Sequence, residues 1–148
     1  HSGKEKLYRA LIISNLVAIH EKTGIGTLSA YCGAVSAGAG AGAGIVYLCG
    51  DGYQAAIHTV VNALAIVSGI VCDGAKADCA LKISTCVNAA CQAAAMGARG
   101  VRVQSTDGIV EENVERTLDN FAILSTHGTS DSVILDLMLN KEHTPDAE

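Results

Sequence analysis

The stretch "SAYCGAVSAGAGAGAGIVYLCG", residues 29–50, decides how the rest of the chain is read. Gly and Ala alternate between Ser36 and Gly44. Strict alternation is the period of a silk-like strand. Each glycine also weakens a helix by about 1 kcal/mol relative to alanine. At a spacing of four, however, Gly38 with Gly42 and Gly40 with Gly44 form overlapping patterns of small residues. Such a surface lets a second helix, or a cofactor, approach the backbone closely. The flanks, Tyr31 to Val35 and Ile45 to Leu48, read as helical. The stretch is therefore expected to be a buried helix, with room for a break or kink in its middle.

Working outward, residues 4–20 place Leu7, Ala10, Leu11, Ser14, Leu16, Val17 and Ala18 at roughly helical spacing. Gly24 and Gly26 punctuate its end, and Ser29 is expected to cap the Gly/Ala helix. Downstream, residues 53–71 predict a third helix, apolar nearly all round and hence central. Residues 80–98 predict a fourth, rich in alanine. After a briefly extended Val-x-Val at 101–103, Ser105, Thr106 or Asp107 is expected to cap a fifth helix starting near Gly108. That helix carries Ile109, Val110, Val114, Leu118 and Phe121 on one face. A short last helix is expected within 125–141, with Asp131 at its start. The fold class is thus all-α, a compact bundle of about six helices around a central Ala/Gly-rich hydrophobic pair, cored by residues 30–98.

Composition agrees. The chain has 148 residues, enough for one core, and 49% are apolar although only 3% are aromatic. Bulk comes from Ala and Gly, and one proline, Pro145, stands near the C-terminus. Net charge is −5 without a basic cluster, which argues against nucleic acid. The run from Ala55 to Val71 approaches the length of a membrane span, but His58, Asn62 and Ser68 interrupt it, so a buried helix is the better reading. His1 and Ser2 read as the remnant of a tag, so the chain is expected to be a piece of a longer cytoplasmic protein. Residues 1–3 would be that remnant, 4–141 the helical domain and 142–148 a flexible tail. A homo-oligomer is left open.

Six cysteines are present: Cys32, Cys49, Cys72, Cys79, Cys86 and Cys91. Without a secretion signal, and with a chain long enough for a core, a disulfide framework is not expected. Cys49, Cys86 and Cys91 read as buried packing residues. Cys72 and Cys79 bracket a loop holding Asp73, Gly74, Lys76 and Asp78. Their six-residue spacer is too long for a zinc knuckle, so spacing alone leaves metal binding as one option among several. A helix beginning near Lys76 would favour the thiolate of Cys79. Cys32 joins them if the Gly/Ala helix packs on this loop. Of the scattered histidines, His20, His58 and His127, His58 is expected to be a hydrogen-bonded core residue.

The segments "LSAYCGAVSAGAGAGAGIVYLCG" and "NALAIVSGIVCDGAKADCALKI" together resemble the C-terminal part of the L-cysteine desulfidase family, related to the L-serine dehydratase alpha chain. The likeness runs from about Gly3 to Lys141. One departure is Ala77-Asp78, where the pattern leads one to expect Pro-Ser or a similar pair; it changes loop stiffness and charge, not the ligands. The resemblance implies a [4Fe-4S] cluster on three cysteines, which by motif fall on Cys32, Cys72 and Cys79. It implies one iron left open to a small amino-acid substrate, L-cysteine or L-serine. Elimination of the β substituent would give an aminoacrylate, then pyruvate and ammonia, plus sulfide from cysteine. Asp73 and Lys76 become candidates for substrate binding. The catalytic base is expected in an N-terminal part of the same enzyme, so this piece alone would be inactive. Two other readings stand beside it: a non-catalytic helical domain with structural cysteines, and a zinc or redox thiol module.

Overall fold

A computed structural model of the chain describes residues 3–26, 29–72 and 74–127. Five helices follow one another in this part: α1 (Gly3–Ile25), α2 (Gly33–Cys49), α3 (Tyr53–Val67), α4 (Cys79–Ala98) and α5 (Val114–His127). The fold is all-α, as expected. The count is five among the described residues rather than about six, and the expected last helix with Asp131 lies outside them.

Helix α2 runs unbroken through the Gly/Ala repeat and touches α1, α3 and α4. Its glycines are contact points. A Cβ on Gly40 would overlap the backbone carbonyl of Ser14 on α1, and one on Gly44 would stand 2.9 Å from the Ala10 carbonyl. On the opposite flank, a Cβ on Gly38 would come within 2.9 Å of Cys86, and one on Gly42 within 2.8 Å of Thr59. The helix-weakening cost of glycine is thus offset by backbone approaches that no other residue permits. These contacts set the directions: α1 runs against α2, while α4 runs alongside it.

Gly97 of α4 plays the same part toward α3, where a Cβ would meet the Ala55 carbonyl at 2.6 Å. Between α2 and α3, Val35, Ala39, Ala43, Val60, Ala63 and Leu64 close the core. Phe121 of α5 caps it, its ring 5.3 Å from that of Tyr31.

Three helix ends differ from expectation. Ser29 does not cap α2: its Oγ accepts the amide of Tyr31 at 3.0 Å, and the residue preceding the helix is Cys32, which makes no side-chain cap. Helix α3 stops at Val67 instead of Val71, because residues 70–72 turn extended and pair with residues 30–32. Helix α5 begins at Val114, not near Gly108. Gly108 has φ +61, and Asn113 supplies the cap through Oδ1, which accepts the Glu115 amide at 2.8 Å.

The Val-x-Val connector is held by a buried polar side chain. Asn62 of α3 is fully enclosed; it donates to the Val101 carbonyl and accepts from the Val103 amide, both at 2.9 Å. No helix among the described residues is long and apolar enough to cross a membrane.

Candidate metal centre

Tyr31 and Val71 form an isolated antiparallel bridge. The Cys32 amide donates to the Ile70 carbonyl at 3.0 Å, and the Cys72 amide to the Ala30 carbonyl at 2.7 Å. Side chains alternate along extended chain, so Cys32 and Cys72 leave the bridge on the same side, opposite to Tyr31 and Val71. Tyr31 meets Phe121 of α5, so the cysteine side faces away from α5. Burial, with a smaller push from Cys32, raises the Cys86 thiol of α4.

Cys79 is the first residue of α4. Its Sγ accepts the backbone amide of Lys76 at 3.4 Å, and the thiol points to the Gly74 carbonyl at 3.7 Å. Gly74 has φ +100, a conformation suited to glycine, which lets the loop double back on the thiol. Lys82, one turn into α4, donates to the Val71 carbonyl at 3.1 Å and stands 3.9 Å from Asp78. The start of α4 is thereby tied to the bridge strand. Cys32 is buried, while Cys72 and Cys79 are half-buried, and all three are free thiols.

The structure thus brings the start of α2, the 70–72 strand and the start of α4 to one end of the bundle. It does not close the three sulfurs into a shell: among the described residues no three His, Cys, Asp or Glu side chains are grouped as metal ligands. Asp73 lies outside the described residues. The Lys76 side chain is exposed, and it is its backbone amide that faces Cys79. Of the cysteines read as packing residues, Cys86 is buried, but Cys49 and Cys91 are exposed. Cys49 ends α2, and Cys91 lies in the second half of α4. His58 is not the hydrogen-bonded histidine expected, since its buried Nδ1 has no partner. His20 meets Glu115 at 2.8 Å on the surface.

One buried pair went unread in the sequence. Glu21 of α1 is enclosed against Ser36 of α2, one helical turn beyond Cys32. Burial pushes the Glu21 carboxyl up to about 8, against a weaker opposing pull from Ser36. Neither carboxylate oxygen nor Ser36 Oγ makes a hydrogen bond of normal geometry. The signal was present: Ala10, Ser14, Val17, Glu21 and Ile25 follow the i, i+3/i+4 spacing of one helix face.

Comparison with known proteins decides the family. The family model described as "Serine dehydratase alpha chain" matches residues 1–134. The chain belongs to the serine dehydratase alpha chain family. Curated relatives of this serine dehydratase alpha chain domain include a UPF0597 protein of Desulfitobacterium hafniense, 52% identical over 95% of this chain and 33% of its own length. A UPF0597 protein of Lachnoclostridium phytofermentans is 53% identical over 92% of this chain and 33% of its own. One from Treponema denticola is 46% identical over 93% and 32%. The chain therefore spans about a third of the length of the curated relatives it matches. No solved structure matches it.

Proposed function

We propose that this domain is the cluster-carrying part of an iron–sulfur lyase that eliminates the β substituent of L-serine or L-cysteine. The observation that carries the reading is the Tyr31–Val71 bridge, which puts two of the three motif cysteines on one face of the paired chain, diagonally across from each other, although forty residues separate them. The donor set supports it as well. Three thiols from three chain segments suit a [4Fe-4S] group with one iron left open. Two of them sit at the starts of α2 and α4, where the positive end of the helix dipole favours an anionic group. For the sulfurs to close on a cluster, the 74–79 loop must give up the contacts that now hold Cys79.

When bound, the cluster would supply Lewis acidity at its open iron. The chain's own residues do the rest. The bridge holds Cys32 and Cys72 on one face. Lys82 anchors α4 so that Cys79 can complete the ligand set. Lys76 and Asp73, from the same loop, are proposed to bind and orient the substrate, with Lys76 on the substrate's carboxylate. In the overall reaction the α C–H and β C–X bonds break and a C=C bond forms. Tautomerisation and uptake of one water then release ammonia and pyruvate, with X leaving as water or hydrogen sulfide. The α-proton acceptor is assigned to the larger part of the protein, beyond this third.

The test is pyruvate formation from L-serine and L-cysteine by the anaerobic full-length protein. Activity lost in Cys72→Ala supports the reading, while undiminished turnover in that variant contradicts it. A second reading, a helical domain with structural cysteines, draws on the lack of a closed three-ligand group among the described residues. A chain that takes up no iron would favour it.

A further inference from the structure

Helix α1 is apolar on two sides. Its inner side packs on α2, yet its outer side exposes Tyr8, Leu11, Ile12, Leu16 and Ile19, each at half or more of its surface. A surface helix ordinarily turns polar residues outward, and one that is apolar all round belongs in an interior. Those five side chains expose roughly 500 Å², at the upper end of the patch a monomer carries. That falls short of the ~800 Å² per partner of a stable interface between separate proteins. It does suit a docking face between domains of one polypeptide, where the linker keeps the local concentration high. The curated relatives carry about two-thirds of their length beyond the matched region.

We propose that the outer face of α1 seats this larger part of the polypeptide, so that the domain docks through Tyr8, Leu11, Ile12, Leu16 and Ile19. The proposal rests on the reading that the active protein has the length of these relatives, and it requires no cluster.

Hydroxyl-radical footprinting of this chain and of the full-length Desulfitobacterium hafniense relative tests it, with light scattering for mass. The expected result is a monomeric chain strongly labelled at the five residues, and severalfold weaker labelling of the matching helix in the full-length relative. Equal labelling of the two would overturn the proposal. So would a dimeric chain that becomes monomeric on Ile12→Glu with Leu16→Glu, because a second copy would then hold the face. That double variant is expected to melt as the parent does; a large fall would show the face covered within the chain itself, and would overturn the proposal too. None of these readouts involves iron, so failure of the cluster reading and failure of this one are separable.

Discussion

Tyr31 and Val71 pair across an antiparallel bridge, and this one contact puts Cys32 and Cys72 diagonally on the same face at the end of a helical bundle. Two amide bonds hold it, from Cys32 to Ile70 and from Cys72 to Ala30. The two roles of Cys72, backbone and thiol, can be separated by substitution. Cys72→Ala keeps the amide and should leave the melting temperature nearly unchanged. Cys72→Pro removes the donor to Ala30 and should destabilise by about 1–3 kcal/mol. Thermal melts of both variants check this, and equal melts would show that the bridge bond contributes nothing.

Gly40 and Gly33 give a second contrast within one helix. A Cβ at Gly40 overlaps the Ser14 backbone, whereas one at Gly33 meets nothing within 4 Å. Gly40→Ala should cost at least about 1–3 kcal/mol through overpacking, since backbone cannot swing aside. Gly33→Ala should be neutral or stabilise by up to about 1 kcal/mol from helix propensity. Urea denaturation of the pair reads the difference.

This contrast also shows what the sequence carried. The spacing of Gly38, Gly40, Gly42 and Gly44 foretold a helix meant for close approach, and α2 is that helix. The start of α2 and the end of α3 were not legible. They are set by a single-residue bridge between segments forty residues apart, which leaves no periodic pattern. Asn62 reads as a polar interruption until its two partners on the connector are seen. At the candidate metal centre, chemistry and spacing brought Cys72 and Cys79 to notice. Their assignment with Cys32 as a ligand set came from family resemblance, because a seven-residue separation fits no simple metal motif.

Glu21 makes stability depend on pH. Its carboxyl titrates at about 8 in the folded chain and near 4.5 when unfolded. Between these values the unfolded chain holds fewer protons, so stability is full below about pH 4.5 and falls as pH rises toward 8. The slope is at most about 1.4 kcal/mol per pH unit, and it flattens above the folded value. Glu21→Gln should remove this slope and make the variant more stable than the parent at pH 9. Chemical denaturation from pH 5 to 9 measures it; parallel curves for parent and variant would contradict the buried carboxylic acid.

Asn62 should matter as a bracket. Asn62→Leu leaves the Val101 carbonyl and Val103 amide without their partner and should cost roughly 2–4 kcal/mol. Hydrogen exchange at Val103 should rise with it, and a Val103 amide still protected in the variant would show that the connector is held by other contacts.

The most direct measurement of the central claim is anaerobic reconstitution of this chain with iron and sulfide, followed by iron, sulfide and protein analysis. A brown chain holding a four-iron cluster is expected, with the cluster lost in Cys32→Ala, Cys72→Ala and Cys79→Ala and retained in Cys49→Ala and Cys91→Ala. A colourless chain at full iron and sulfide supply, or a cluster that survives Cys72→Ala, would contradict it.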